Sequence, residues 1–537
     1  MRGLRSAALN LLLITALGAP GESQAAVTRG PYLQNATSTS VVVRWRSSAM
    51  TNSRVRFGLS TTTLTMTADD PAITGEHIVT VSGLAPATRY FYTVGSTTLQ
   101  ETTADINTYF TTAPSPGMAS PTRIWVLGDS GQAGNDSRNV RDGYLTYSGA
   151  RPADIWLMLG DNAYNSGTDT EYQAAVFNTY LTILRKTPLW SAFGNHDASS
   201  ASSATQTGIY YDVFTFPTQG EAGGVPSETE AWYSFDYANL HFVSLDSTDS
   251  DRSSAGPMLT WLQQDLAANT RQWTVAFFHH PAYSKGSHDS DVEIELIEMR
   301  TQALPILEQY GVDLVLTGHS HSYERSVQVD GHYGIADSIS DAMKIDPGDG
   351  QESGDGVYVK PVSGPHEGAV HVVAGSGSRL SGGALNHPAM HLSISVLGSL
   401  VLDVNGPRMD VAFVGILGNT IDSFTMHKGP GAPCAAAPAE VTPTMEISLP
   451  GYRLTWGRPI KAYASTVYVG ELSPTSRVDW DLACHAQTIP AESLDLTPVP
   501  PAGFVHYYLV AGVNDCGPGS AGSGSGGAPR PALPSCH

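Results

Sequence analysis

The chain contains few cysteines, and all of them lie in its last quarter. There are four among 537 residues: Cys434, Cys484, Cys516 and Cys536. None lies near the polar motifs described below, which argues against a thiol nucleophile. An even number of cysteines in an exported chain indicates two disulfides. Their pairing stays open, although Cys434 with Cys484 and Cys516 with Cys536 would follow chain order.

Basic residues are scarce as well. The chain has 29 Lys and Arg against 50 Asp and Glu, so its formal net charge is −21. A surface this acidic repels nucleic-acid backbones, and we therefore expect no DNA or RNA partner. The same field does not attract an anionic substrate, so such a substrate would have to be captured by bound metal.

Long hydrophobic runs are also missing. No segment approaches the roughly 18 apolar residues of a membrane-spanning helix, so we expect no membrane span. The apolar segment Ala7–Leu17 follows Arg2 and Arg5 and precedes the small-residue site Ser23-Gln24-Ala25. This order is typical of a signal peptide, here residues 1–25, and it predicts a secreted or periplasmic protein.

The remaining sequence predicts several domains rich in turns, since it holds 54 glycines and 34 prolines. Residues 27–113 alternate in the β manner and predict a fibronectin-like β-sandwich of about seven strands. Residues 121–428 alternate strands with helices and predict an α/β domain. Its helices are expected at Asn135–Tyr147, Tyr172–Arg185, Met258–Ala267 and Val292–Tyr310. Residues 440–516 predict a small C-terminal β-rich domain, and residues 517–537 form a Gly/Ser/Pro-rich tail.

Five predicted strands of the α/β domain each end in a polar motif. The strands are Arg123–Leu127, Asp154–Leu159, Leu189–Phe193, Trp273–Phe278 and Leu314–Leu316. The motifs are Gly128-Asp129-Ser130-Gly131, Gly160-Asp161-Asn162-Ala163-Tyr164, Gly194-Asn195-His196-Asp197, His279-His280-Pro281 and Gly318-His319-Ser320-His321. Because ligands gather at the carboxyl ends of strands in such folds, we expect these motifs to form one site.

The residue types in these motifs predict a site for two metal ions. The candidate ligands are Asp129, Asp161, Tyr164, Asn195, His279, His319 and His321. Carboxylate, phenol, amide and imidazole suit borderline-to-hard ions rather than ions that prefer thiolates. Seven ligands exceed the needs of one tetrahedral ion but fit two that share a carboxylate. Two ions about 3.5–4 Å apart are a recurrent device for displacement at phosphorus.

In order and content, these motifs resemble those of the purple acid phosphatases, a branch of the metallophosphoesterases. The resemblance covers residues 121–424, and Arg29-Gly30-Pro31-Tyr32-Leu33-Gln34 is similar to the domain that precedes the catalytic domain in that family. Gly131 stands where other metallophosphoesterases usually carry a histidine, and Tyr164 is absent from them. The resemblance implies a multidomain fold, in which a fibronectin-like sandwich precedes a four-layer domain of two β-sheets flanked by helices.

The resemblance also implies roles for the ligands. Fe³⁺ would be held by Asp129, Tyr164 and His321, whereas a divalent ion (Fe, Zn or Mn) would be held by Asn195, His279 and His319. Asp161 would bridge the two ions. The implied reaction is the hydrolysis of a small phosphate monoester by a metal-held hydroxide.

Several further histidines stand near or outside these motifs. The resemblance implies that His196 stabilises the transition state or protonates the leaving alkoxide and that His288 faces the substrate. His280 would contact a metal ligand without binding the metal itself. His241, His366 and His371 match no ligand position and are predicted to be structural or surface residues. Asp197 departs from the family, which commonly has Glu there.

Other functions remain open from the sequence. A phosphodiesterase or a phytate-type hydrolase would use the same metals, because substrate range depends on loops whose shape the sequence does not determine. A non-catalytic surface adhesion protein is a different class, but a decayed hydrolase core would be expected to have lost at least one of the seven ligands. The sequence does not determine the second metal, the pH optimum or the oligomeric state.

Overall fold

The computed structural model describes residues 26–360, 364–431 and short stretches between 446 and 520, with gaps. The predicted signal peptide, Cys434, Cys516, Cys536 and the tail after residue 520 lie outside the described residues. Cys484 is described and is not a free thiol. The pairing of the four cysteines therefore stays a prediction. No helix among the described residues is long and apolar enough to cross a membrane.

The N-terminal region folds into one connected sheet. Its described strands are β1 (Val27–Gln34), β2 (Ser40–Gly58), β3 (Met66–Ser82), β4 (Arg89–Gly95) and β5 (Tyr109–Thr111). The long strand β2 pairs with β1, β3 and β4, and its register with β3 shifts between Arg46 and Ser53. The sequence predicted about seven short strands here, whereas the structure has two long strands, β2 and β3, and three shorter ones. The two-sheet sandwich stays a prediction.

The segment Arg29–Gln34 joins this region to the α/β domain. The Arg29 side chain is fully buried and donates to Gln173 Oε1 at 2.8 Å and to Asp169 Oδ1 at 2.7 Å. The Tyr32 hydroxyl donates to the carbonyl oxygen of Val213 at 2.8 Å. These bonds explain why polar side chains on a strand of the first domain are buried: their partners belong to the second.

The α/β domain has short strands and helices in alternation. Its strands are β6 (Thr122–Leu127), β7 (Ile155–Met158), β8 (Leu189–Ser191), β9 (Ala201–Ser202), β10 (Thr207–Gly208), β11 (Tyr233–Tyr237), β12 (Leu240–Ser244), β13 (Trp273–Phe277), β14 (Leu314–Thr317), β15 (Tyr323–Ser326), β16 (Gln328–Val329), β17 (Lys344–Asp346), β18 (Tyr358–Lys360), β19 (Val370–Ala374), β20 (Met390–Ile394), β21 (Gly398–Asn405), β22 (Arg408–Gly415) and β23 (Thr420–Lys428). Its α-helices are α1 (Asn135–Ser148), α2 (Asp169–Tyr172), α3 (Leu181–Leu184), α4 (Ile209–Val213), α5 (Pro257–Ala268), α6 (Ile294–Glu298) and α7 (Leu304–Gln309).

Within the described residues these strands build two large sheets of seven strands each. One has the order β18-β23-β22-β21-β6-β7-β8, and the other has the order β11-β12-β13-β14-β19-β15-β20. Strands β6, β7 and β8 are parallel, as are β12, β13, β14 and β19. Parallel strands are covered on both faces, which explains their almost uninterrupted apolar sequences.

The sheets pack face to face with helices outside. Between them, Trp190 of β8 stacks on Phe235 of β11 with ring centroids 3.8 Å apart. Outside the first sheet, Trp125 stacks on Tyr144 of α1 at 4.2 Å. On the second sheet, alternate residues of β13 face opposite ways, and Ala276 lies in a core cluster with residues of α5 and α7. The order is therefore helix, sheet, sheet, helix.

Two of the predicted helices are broken, whereas those at Asn135 and Met258 are confirmed. The segment predicted at 292–310 consists of α6, a π-helical turn Met299–Ala303 and α7. Pro305 explains the break, because it cannot donate the backbone hydrogen bond that a continuous α-helix requires. The segment predicted at 172–185 contains a π-helical turn at Gln173–Asn178 followed by α3.

The described part of the C-terminal region is β-rich. Its strands are β24 (Glu446–Ser448), β25 (Arg453–Thr455), β26 (Ala464–Leu472), β27 (Ala483–Ile489), β28 (Ser493–Asp495), β29 (Val505–Asn514) and β30 (Gly517–Pro518). A small apolar core contains Leu454, Trp456, Val467 and Val510.

Candidate metal centre

The five polar motifs follow the carboxyl ends of β6, β7 and β8 in one sheet and of β13 and β14 in the other. Asp129, Asp161 and His319 all have left-handed backbone conformations, with φ of 54°, 54° and 66°. These turns direct the side chains across the strand ends. Gly318 leaves the necessary room, because a Cβ there would lie 2.4 Å from Asp129 Oδ2.

Asp129, Tyr164 and His321 form one side of the centre. The Tyr164 hydroxyl donates to Asp129 Oδ1 at 3.0 Å, and His321 Nε2 lies 3.3 Å from that hydroxyl oxygen. The distance from His321 Nε2 to Asp129 Oδ1 is 3.5 Å. The other ring nitrogen of His321 lies 2.8 Å from Ser381 Oγ, which fixes the orientation of the imidazole. All three side chains are buried.

Asn195, His279 and His319 form the other side. Asn195 Oδ1 lies 3.0 Å from His279 Nε2 and 3.1 Å from His319 Nδ1, and these two nitrogens are 3.2 Å apart. Ligands about 2.1 Å from one tetrahedral ion lie about 3.4 Å from each other, so this spacing suits a single ion. The three atoms therefore lie at coordinating positions.

Asp161 lies between the two sides. Its Oδ1 is 3.4 Å from His279 Nε2 and accepts the backbone N–H of His196 at 2.9 Å. Asp129, Asp161 and His279 each place one ligand atom within 4.8 Å of the others. Burial by itself opposes ionisation of Asp161, but the neighbouring His279 and His196 outweigh it and lower its pKa. Asp161 is thus placed to share its carboxylate between two ions.

The hydrogen bonds around the two histidines show that the residues fit a cation. His279 Nδ1 lies 2.9 Å from the carbonyl oxygen of Leu159, so the neutral, metal-binding form of this imidazole would donate Nδ1–H there and turn the lone pair on Nε2 inward. His319 Nε2 lies 3.2 Å from Glu293 Oε2, which leaves a lone pair on Nδ1. Both lone pairs face the amide oxygen of Asn195. Burial alone would lower the pKa of His279, but Asp161 raises it to about 9, so without an ion a proton on His279 carries the positive charge that a bound metal would supply there.

The state of Tyr164 supports the same conclusion. Burial, and then the charges of Asp129 and Asp161, raise the pKa of its phenol well above the ordinary value. Without a cation the phenol keeps its proton and donates to Asp129. A metal ion at this position would reverse the electrostatic balance and favour the phenolate. The oxygen and nitrogen donors suit Fe, Zn or Mn.

His196 and His288 lie at the open side of this group. His196 Nδ1 is 2.6 Å from the carbonyl oxygen of Asn165, so Nε2 is the ring nitrogen left toward the centre, 3.9 Å from Asp161 Oδ2. The His288 ring centroid is 3.7 Å from that of His319. Both side chains are about one third exposed, 32% and 30%, and can meet a substrate from solvent.

Comparison with known proteins agrees with this geometry. A model of the calcineurin-like phosphoesterase family matches residues 122–323, and a model of the purple acid phosphatase N-terminal domain matches residues 30–112.

Residues 122–323 are therefore a calcineurin-like phosphoesterase domain that resembles those of the purple acid phosphatases.

Relatives of this type include purple acid phosphatase 23 of Arabidopsis thaliana, 30% identical over 277 residues, 46% of this chain and 57% of that protein. A purple acid phosphatase of Glycine max is 27% identical over 260 residues, 47% of this chain and 53% of that protein. The nucleotide pyrophosphatase/phosphodiesterase of Hordeum vulgare is 28% identical over 241 residues, 40% of this chain and 63% of that protein. The chain spans between half and two thirds of the length of these relatives.

Solved structures agree in fold. The purple acid phosphatase PPD1 of yellow lupin (Lupinus luteus) has a TM-score of 0.58 and 19% identity, with 75% of each chain covered. The structure of PhoD has a TM-score of 0.54 and 14% identity, covering 76% of this chain and 92% of that one. At these identities the likeness concerns the fold alone.

The purple acid phosphatase-like centre has supporting residues that sequence reasoning missed. Glu293 contacts two of its histidines, because its carboxylate oxygens lie 2.9 and 3.0 Å from His288 Nδ1 and one of them lies 3.2 Å from His319 Nε2. The Arg379 guanidinium lies 5.3 Å from the centroid of the Tyr164 ring. Both residues come from polar loops without a motif, so no local pattern marked them.

His280 and Asp197 contact the candidate ligands, or the loops that carry them, without themselves being candidate ligands. His280 is buried beside His319, with Nδ1 3.0 Å from Ser247 Oγ. Asp197 is fully buried and accepts N–H groups of Gly194 and Asn162, while burial raises its pKa to about 7. The shorter acid at this position thus ties two ligand-bearing loops together.

The three histidines predicted to lie outside the centre are not among its contacts. His241 is buried between two aspartates, with Asp236 Oδ1 at 2.8 Å and Asp265 Oδ2 at 2.7 Å. His371 is buried on β19. His366 is exposed and lies beside Asp330, with Nδ1 and Oδ2 3.2 Å apart.

Proposed function

We propose that this chain is a secreted or periplasmic phosphatase that hydrolyses small phosphate monoesters with two metal ions. The observation that carries the proposal is the convergence of Asn195 Oδ1, His279 Nε2 and His319 Nδ1, which lie 3.0 to 3.2 Å from one another. Asp161 lies between this group and the group of Asp129, Tyr164 and His321. The predicted signal peptide supports the location outside the cytoplasm.

The two groups differ in charge, which suggests different ions. The Asp129 carboxylate and the Tyr164 phenolate would give this side two anionic oxygen donors, so we assign Fe³⁺ to it. The neutral amide and imidazoles of the other side suit a divalent ion of Fe, Zn or Mn. Ions bound at such a centre supply Lewis-acid charge for phosphoryl oxygens and lower the pKa of water.

The protein's own groups orient the substrate and handle the leaving-group proton. His196 is bonded through Nδ1 to the Asn165 carbonyl oxygen, so its Nε2 can carry a proton to the departing alkoxide. His288 is bonded through Nδ1 to Glu293, and when the imidazole is protonated its other nitrogen would donate to a phosphate oxygen. The acidic surface makes these two histidines important, since the general field does not attract a phosphate.

A phosphodiesterase activity is the second candidate. The relative from Hordeum vulgare, named as a nucleotide pyrophosphatase/phosphodiesterase, supports it. The substrate loops decide between the two activities, and the metal ligands are shared. A non-catalytic adhesion role finds no support, because all seven candidate ligands are present and converge.

The first experiment is metal analysis with a visible spectrum on the purified mature chain. We expect about two ions per chain, iron among them, and a broad visible band. Tyr164→Phe should abolish the band, whereas Tyr237→Phe, which changes a buried tyrosine on β11, should leave it unchanged. Phosphate monoesters should be hydrolysed faster than diesters. Two ions without iron or colour would overturn the Fe³⁺ assignment alone, and no metal even after reconstitution would overturn the enzyme proposal.

A further inference from the structure

A second group of potential ligands lies outside the metal centre. Glu308 of α7, Asp330 after β16 and His366 before β19 each place one ligand atom within 4.8 Å of the others. His366 Nδ1 is 3.2 Å from Asp330 Oδ2, and the backbone N–H of His366 donates to the carbonyl oxygen of Glu308 at 2.9 Å. Three separate segments of the chain thus meet at one point.

This group lies at the amino ends of β14 and β19, whereas the metal centre lies at the carboxyl ends of the strands. Strands β14 and β19 are parallel neighbours, and both run toward the metal centre, where His319 follows β14. His366 precedes β19, and Val329 bonds to Ala369 at the beginning of that strand. The length of these strands, four residues in β14 and five in β19, therefore lies between the two sites.

The Glu308 carboxylate is incompletely satisfied. Glu308 is buried, with only 4% of its surface exposed to solvent. Its Oε2 accepts the N–H of Gly331 at 3.0 Å and the hydroxyl of Tyr333, but its buried Oε1 has no hydrogen-bond partner among the described residues. A buried carboxylate oxygen without a partner is unfavourable, so the structure leaves a position for a positive ligand.

We propose that Glu308, Asp330 and His366 bind a divalent transition-metal ion of the zinc type, separate from the metal centre. Two carboxylates and one imidazole suit Zn²⁺, whereas Ca²⁺ prefers an all-oxygen set. The ligand atoms must approach to about 3.4 Å for tetrahedral geometry. His366 can make this adjustment because its side chain is 47% exposed.

Electrostatics support this site. Burial, and then the charge of Asp330, raise the pKa of Glu308 to about 7, and a bound cation would offset both effects. The ion would tie together α7, the β16–β17 hairpin and the loop before β19. It would therefore stabilise the amino ends of β14 and β19, the strands whose carboxyl ends lie at the metal centre.

The test is a zinc titration of the full chain whose metal centre has already been loaded. We expect the wild-type chain to take up one more Zn²⁺ than His366→Gln, and that variant to bind the additional ion at least 10-fold more weakly. His391→Gln, which changes an exposed histidine on β20, should match the wild type. Phosphatase activity should be the same in all three proteins.

Equal uptake and equal affinity in the wild type and His366→Gln would overturn this proposal. His366 is exposed, so its variant keeps the test valid even if the buried Glu308→Gln does not fold. Anomalous scattering at the zinc edge should locate the ion beside His366. Loss of ions at the metal centre alone would contradict the proposed function, while the difference between wild type and His366→Gln would still report on this site.

Discussion

Glu293 contacts His319 on the side away from the metal-facing nitrogen: its Oε2 lies 3.2 Å from Nε2, whereas His319 Nδ1 faces Asn195. The same carboxylate binds His288 Nδ1. One acid therefore contacts both His319, a candidate metal ligand, and His288, which we propose to face the substrate. Carboxylates that bond to the second nitrogen of a ligand histidine are known to fix its orientation and raise its basicity.

Glu293→Gln should weaken binding of the divalent ion by about 10- to 100-fold, because the neutral amide supports His319 less well. Metal competition with a chelator measures this affinity directly. Glu295→Gln, two residues further along, is the matched control and should bind as the wild type does. Unchanged affinity in Glu293→Gln would show that the carboxylate does not position the ligand.

His196→Asn should reduce turnover most for substrates with poor leaving groups. A positioned proton donor contributes about 10²- to 10⁴-fold when the departing alkoxide needs a proton. An alkyl phosphate should therefore lose far more rate than 4-nitrophenyl phosphate, whose leaving group needs little help. Comparison of kcat for the two substrates measures this effect. Equal losses for both would assign His196 to binding rather than proton transfer.

Gly318→Ala should impair metal binding, because its new Cβ would lie 2.4 Å from Asp129 Oδ2. The substitution would displace the Asp129 carboxylate from its coordinating position, although every candidate ligand residue is kept. Metal content per chain is the measurement, and circular dichroism checks that the fold is kept. Gly382→Ala is the control, since a Cβ there meets nothing within 4 Å. Full metal content in Gly318→Ala would contradict the placement of Asp129.

His241 should make the stability of the α/β domain depend on pH. Burial alone would lower its pKa, but hydrogen bonds to Asp236 and Asp265 raise the pKa to about 9. A raised histidine pKa stabilises the folded chain fully below the ordinary value near 6.5 and loses this effect as pH rises through 9. The contribution is about 3 kcal/mol, from about 2.5 pKa units.

Urea unfolding of the wild type and of His241→Gln between pH 6 and pH 10 checks this expectation. The difference in the free energy of unfolding between the two proteins should shrink by about 3 kcal/mol across that range. Part of the difference should persist at high pH, because the variant leaves two aspartates with an altered partner. A difference that does not vary with pH would mean that His241 is neutral in the folded chain.

The order of residues along the chain predicted the candidate metal ligands and the alternation of strands and helices, and the structure brings those ligands together. Strands such as Arg123–Leu127 are buried on both faces, so each appears in the sequence as a short, nearly continuous apolar run that can be recognised without knowing its neighbours. A ligand at a strand end is also local, since it directly follows an apolar segment and, except at His279, a glycine. For these reasons Asp129, Asp161, Asn195, His279 and His319 could be identified in order along the chain.

The residues that support those ligands became visible only in the folded chain. Glu293, Ser381 and the Leu159 carbonyl contact ligands that lie far away in sequence, and their loops carry no periodic pattern. The burial of Arg29 likewise depends on partners from another segment, Asp169 and Gln173. His366 was predicted to be a structural or surface residue, and only folding brings it to Glu308 and Asp330. Hydrogen bonds and charges act through space, so the choice of partner follows from how the sheets pack rather than from spacing along the chain.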